Sequence, residues 1–155
     1  MSESNYSKYF ITELKKNIVV PPYRNDKPGQ GYQTGLPKTD HIIWLDDEII
    51  PNAKIYSECV WYWPWELPKK NTEDEKMNSP HVHAFDEIIA FYGTDLNDPK
   101  KLHGKIELWL DGEQHILTET FMAFVPAGMS HGPLIIHKLE KPVFHFTIGP
   151  SDTYD

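Results

Sequence analysis

His81-Val82-His83-Ala84-Phe85-Asp86-Glu87 is the stretch that decides how this chain is read. Two imidazoles and a carboxylate fall on odd positions, and alternate residues of a β-strand point to one face. On a strand from about Pro80 to Tyr92 they project together, and Phe85, Ile89 and Phe91 share their face as an apolar surround. Asp86 points the other way unless a bulge re-aims it. A second stretch, Pro126-Ala127-Gly128-Met129-Ser130-His131, follows the β-prone run Phe121 to Val125. Its proline and glycine mark a tight turn that would set His131 beside a neighbouring strand. His81, His83, Glu87 and His131 together are a ligand set for one divalent transition metal.

Outward from these motifs the chain reads as short strands separated by turns, which predicts an all-β barrel. His41 to Leu45, Ile55 to Trp65, Ile106 to Leu110, His115 to Leu117 and Val143 to Ile148 are the other strand candidates. Asp111-Gly112 is a hairpin signal. Asn71 to Ser79 is a polar loop and Thr94 to Gly104 a polar insertion. Residues 7–16 are expected to form a short helix with Phe10, Ile11 and Leu14 on one face. Residues 21–38, rich in proline and glycine, form an extended arm with Tyr23 and Tyr32 as anchors, able to fold over a barrel mouth. The expected division is an N-terminal arm over 1–40 and a barrel over 41–155.

Composition narrows the function classes. A chain of 155 residues is one domain with room for a real core. Its formal charge of −8 disfavours nucleic acid and anionic membrane as partners. No apolar run is long enough to span a bilayer. Met1-Ser2-Glu3-Ser4-Asn5 lacks the pattern of a signal peptide. The single cysteine, Cys59, excludes an internal disulfide and fits a reducing, cytoplasmic compartment. With no paired base visible, Cys59 reads as a small buried side chain and not as a nucleophile.

The two motifs resemble those of the cupin superfamily. His81-x-His83-x-x-x-Glu87 followed by Gly93 is similar to the first cupin motif, with one residue fewer before the glycine. Pro126-x-Gly128-x-x-His131 is similar to the end of the second. The glycine that usually opens the second motif falls at Thr120, the asparagine that often ends it near Ile135, and the glycine expected before His81 near Glu75. The resemblance spans roughly residues 55–149 and implies a double-stranded β-helix, or jelly-roll barrel, with a metal inside. It also implies pairing into a homodimer through edge strands.

Other residues extend the candidate site. Trp61, Trp63 and Trp65 share one strand face and are candidate walls for a planar or apolar substrate, beside Phe85 and Phe91; the ordinary reading of such a stripe is core or interface. His145 faces opposite to Phe144 and Phe146, and is the candidate acid–base group if that face is the barrel interior. His41, His103, His115 and His137 read as surface residues. Arg24 is the single arginine among fifteen Lys and Arg residues, which favours a neutral or weakly acidic substrate that chelates the metal. Imidazoles with one carboxylate suit Fe, Mn, Ni or Zn, and an octahedral ion would keep two positions open. The leading expectation is a metalloenzyme acting on a small organic molecule, most concretely an Fe(II) dioxygenase, with a metal-dependent isomerase, lyase or hydrolase next. The competing class is a non-catalytic small-ligand-binding or sensor barrel.

Overall fold

The computed structural model describes residues 6–31, 33, 35–68 and 76–154. Tyr32 and residues 71–75 of the polar loop lie outside the described residues. The strands are β1 (Thr39–Leu45), β2 (Tyr56–Tyr62), β3 (Trp65–Glu66), β4 (Glu87–Gly93), β5 (Lys101–Leu110), β6 (Glu113–Glu119), β7 (Phe121–Val125), β8 (His131–Leu139) and β9 (Val143–Gly149). All pairings are antiparallel. One sheet runs β1-β2-β9-β4-β7 and the other β3-β8-β5-β6, giving the jelly-roll architecture that the resemblance implied.

Alternation decides which side chains meet between the sheets. Along β2, Tyr56, Glu58, Val60 and Tyr62 are buried while Ser57, Cys59 and Trp61 stay half-exposed. In β9 the buried set is Val143, His145, Thr147 and Gly149. Phe91, Leu102, Ile106, Leu108 and Ile136 fill the core. Gly93, the glycine that follows the first motif, is required there: a Cβ would run into the backbone of Lys101. Asp111 and Gly112 both have positive φ, 48° and 81°, as the predicted β5–β6 hairpin turn demands.

The opposite face of the larger sheet is apolar as well. Register aligns Met122, Ala90, Phe146, Cys59 and Ile43 in one rung across all five strands. Tyr92, Phe144 and Trp61 align in the next, and Phe124, Ile88 and Ile148 in another.

Two local expectations are corrected. No helix forms over 7–16; there is only a 3-10 turn at Ser7–Tyr9, and Phe10 is 77% exposed. A lone helical turn does not repay its nucleation cost. The first metal strand does not begin at Pro80. β4 starts at Glu87, and His81 reaches the sheet only through an isolated bridge to His131.

The arm does fold onto its own barrel. Arg24 bridges Asn78, and Asn78 bridges Leu134 of β8. Ser79 N donates to Tyr23 O at 2.8 Å, and Met77 N to Leu134 O at 2.8 Å. Residues 23–26 are thus laced to the barrel wall through 77–79.

Candidate metal centre

The two sequence motifs are brought together by their backbones. His81 N donates to His131 O, and His131 N to His81 O, each at 2.9 Å. Gly128 sits at φ 82°, where the turn needs a residue without a Cβ, and its N–H donates to His83 O at 2.9 Å. Asp86 holds the same turn from its side chain, accepting from Ala127 N at 2.9 Å. Residues 82–86 leave the strand geometry, so the turn and the bridge aim His81 and His83, and strand parity aims Glu87 alone.

The result is a convergent cluster. One ring nitrogen each from His81, His83 and His131 lies within 4.8 Å of the other two. Glu87 Oε2 is 2.8 Å from His83 Nε2 and 3.9 Å from His131 Nε2, so the carboxylate adjoins two of the three. Outer contacts set the tautomers. His81 Nδ1 donates to Ser79 O at 2.7 Å and His131 Nδ1 to Met129 O at 3.2 Å. A carbonyl can only accept, so the proton sits on Nδ1 and each Nε2 keeps its lone pair. Burial pushes the His81 imidazole down to about 3 and lowers that of His131, which keeps both in the neutral, ligating form. Rings hold them in place: Tyr23 stacks on His81 at 3.8 Å and Phe85 on His83 at 4.7 Å.

These residues fit a cation. His131 Nε2 and Glu87 Oε2 are buried and make no hydrogen bond among the described residues. An orphaned buried polar atom costs about 1–3 kcal/mol, and an ion placed among them would remove that cost.

The cluster opens on a cavity of about 40 Å3. His145 lines it, as expected if its strand face is the interior. Its Nδ1 donates to Ala90 O at 2.8 Å, and burial pushes its imidazole down to about 4. It is therefore neutral, with Nε2 left as an acceptor. Phe91 does not line the cavity; it is fully buried and stacks on His145 at 4.1 Å, fixing the ring. Phe85 supports His83 instead of facing a ligand. Trp61 and Trp63 lie on the outer side of the sheet, stacked on each other at 6.1 Å, with Trp63 Nε1 donating to Asp40. They are therefore not cavity walls. Trp65 belongs to the other sheet and donates to Ile136 O.

The far wall was not foreseen as a site. Arg24 Nη1 lies 2.9 Å from Glu58 Oε1, and Arg24 Nη2 donates to Asp26 Oδ2 at 3.2 Å. His41, expected at the surface, is buried between the same two carboxylates, with Nε2 at 3.0 Å from Asp26 and Nδ1 at 3.4 Å from Glu58. Burial alone would lower its pKa, but those two hydrogen bonds and charges raise it to about 9. Glu58 moves the other way: burial would raise it, and the Arg24 and His41 charges hold it well below the usual carboxylate range. Two cations thus balance two carboxylates. Tyr154 covers the group, with its ring 5.4 Å from both the Arg24 guanidinium and the His83 ring. Arg24 was singled out by its rarity; Glu58 carried a weaker signal, as a charge alternating with apolar residues in a strand. Tyr154 carried none.

The strand order, the two bridged motifs and the histidine cluster inside the barrel define the class: this is an antiparallel jelly roll with a candidate metal centre. Among solved structures the chain is similar to KdgF from Halomonas sp., at 16% identity over 78% of this chain and 84% of that one, with TM-score 0.43. It is also similar to an RmlC-like cupin from Shewanella frigidimarina (14% identity, 90% and 95% covered, TM-score 0.44). An oxalate oxidase in complex with the substrate analogue glycolate is a third (12% identity, 94% and 74% covered, TM-score 0.49). At these identities and TM-scores the likeness goes no further than shape, and the class rests on the strand order and motifs. No protein-family profile matches the chain, and no curated protein is significantly similar to it. No helix among the described residues is long and apolar enough to cross a membrane.

Proposed function

We propose that the protein is a metal-dependent enzyme acting on a small organic molecule, most concretely in an oxidation of the dioxygenase type. One observation carries this reading: the histidine cluster opens on a cavity whose wall holds ionisable groups that metal retention alone does not need. His81, His83 and His131 would hold the ion, with Glu87 as a fourth donor. A bound divalent iron, manganese, nickel or zinc ion supplies a Lewis acid or redox centre with room for exogenous ligands. The chain's own groups supply the rest. Neutral His145 is placed to take a proton at Nε2, Phe91 keeps its ring in position, and Tyr154 excludes water. Arg24, Asp26 and Glu58 line the cavity, and His41, paired with both carboxylates, balances their charge. A volume of about 40 Å3 limits the bound molecule to a few heavy atoms while Tyr154 stays in place. That small volume also favours a second reading, a barrel that retains a metal or a small ligand without turnover.

The test is metal content of the protein purified without chelator, with His83→Ala and Glu87→Ala prepared alongside. Near-stoichiometric metal that both variants lose supports the centre, and iron would direct oxygen-uptake assays on small oxygen-bearing chelators. Turnover abolished in Glu87→Ala at a nearly unchanged melting temperature supports the enzyme. Metal retention with no turnover supports the second reading. No metal after reconstitution with each candidate ion sinks both.

A further inference from the structure

We infer that the molecule held at the metal carries a hydroxyl group at its far end, and that the Tyr62 hydroxyl and the His145 ring read it. This rests on the metal-dependent reading above and names the chemistry of the molecule acted on.

The two groups sit together at the end of the cavity away from the nitrogen donors. Glu87 opens β4, and the next inward positions of that strand, Ile89 and Phe91, pair with Thr147 and His145 of β9. His145 pairs in turn with Val60 of β2, and Tyr62 is the next inward position there. Both residues line the cavity, and their rings meet edge to face with centroids 5.6 Å apart. His145 donates its one N–H to Ala90 O, which leaves Nε2 as an acceptor. Tyr62 is 2% exposed, and its hydroxyl makes no hydrogen bond among the described residues. Burial and the Asp26 and Glu58 charges outweigh the Arg24 charge and hold its pKa well above the ordinary value, so it stays a donor. A donor and an acceptor are thus buried side by side, and they do not bond to each other.

One hydroxyl satisfies both. Its oxygen accepts from the Tyr62 O–H, and its own hydrogen is donated to His145 Nε2. A carboxylate does not. It would accept from Tyr62 but set a negative charge against the Nε2 lone pair, in a cavity that Glu58 and Asp26 also line. The cations that could answer that charge are already engaged. Arg24 holds Glu58 through both Nη atoms, at 2.9 and 3.1 Å, and His41 lies between Glu58 and Asp26. An aliphatic end would leave the buried donor and acceptor unmet, and a site built to bond a hydroxyl rejects the analogue that lacks it. The inner end of the cavity therefore selects an alcohol over both an alkyl group and a second carboxylate, and Tyr62 is the residue that sets the choice.

The test is ligand binding to the full chain loaded with cobalt(II), read by calorimetry and by the visible spectrum of the metal. The probes are 3-hydroxypropionate, its isostere butyrate, and malonate, in which a second carboxylate replaces the hydroxyl end. Malonate is the strongest chelator of the three in water, so a preference for 3-hydroxypropionate has to come from the protein. That compound is expected to bind at least about tenfold tighter than either of the others. This comparison needs no variant to fold. Tyr62→Phe keeps the ring against Phe91 and His145 and removes only the hydroxyl, so it should abolish most of the preference by weakening 3-hydroxypropionate. A loaded chain that binds the three alike, prefers malonate, binds none of them, or keeps the preference in Tyr62→Phe overturns the inference and leaves the metal centre standing. A chain that takes up no cobalt overturns the metal reading and this inference with it.

Discussion

Arg24→Met tests whether the far wall of the cavity holds the arm to the barrel. Arg24 is 7% exposed and contacts Asp26 and Glu58. Methionine keeps most of the volume but leaves two buried carboxylates facing a single cation, His41. Removing one member of a buried ionic group costs about 3–5 kcal/mol, because the remaining charge stays desolvated. At about 2.1 cal/mol/K per residue, 155 residues give an unfolding entropy of about 0.33 kcal/mol/K, so the melting temperature should fall by about 9–15 °C. Glu58→Gln in the same chain should recover part of the loss, with a coupling of about 1–3 kcal/mol. The pH dependence has a definite sign. Without Arg24, burial outweighs the remaining attraction and the Glu58 pKa rises, so acidification neutralises the stranded carboxyl. The deficit relative to wild type should therefore be smaller at pH 5 than at pH 7. Calorimetry of wild type, the two single variants and the double variant checks this. An Arg24→Met melting temperature within about 2 °C of wild type, or strictly additive losses, would refute the reasoning.

Stability should peak near neutral pH. The native His145 pKa is about 4, so below an unfolded value of about 6.5 the unfolded chain gains a proton that the native one does not. Stability falls from pH 6.5 to 4 by about 3 kcal/mol. His41, native pKa about 9, adds stability that is full below pH 6.5 and lost by a similar amount as pH rises through 9. Urea midpoints at pH 5, 7 and 9 should trace this dome; a flat profile would count against both assignments. Tyr154→Ala should open the cavity and speed metal stripping by EDTA several-fold, and an unchanged rate would mean that Tyr154 does not close the mouth.

The site's residues were legible, while their placement was less so. His81, His83, Glu87 and His131 are where the chain concentrates metal donors, and the turn at Pro126 to Gly128 follows from local turn chemistry. Strand parity failed over residues 82–86, because the bridge to His131 and the bond from Gly128 hold a bend that no local pattern encodes. The tryptophans were misplaced for a different reason. Alternation divides β2 into two faces but does not say which is inside. Here the charged Glu58 faces the interior and Trp61 faces out, the reverse of the ordinary binary pattern. Only the distant partners Arg24 and His41 make a buried Glu58 tolerable, and pairing across that separation is not visible in one sequence. The expected division at residue 40 likewise hides that Arg24 belongs to the cavity wall.

Tyr23 and Tyr154 come from opposite ends of the described chain, yet their ring centroids lie 6.3 Å apart at the cavity. That contact has a consequence for the order of folding. Both residues lie outside the paired strands, Tyr23 before β1 and Tyr154 after β9, so they can settle after the sheets have formed. The sheets and the His81–His131 bridge can form first, leaving the nitrogen donors facing an open barrel. The arm and Tyr154 would then close over any ion that His81, His83, Glu87 and His131 had taken up. Loading during folding should therefore outpace loading of the finished protein, and the barrel would trap the first suitable ion it meets.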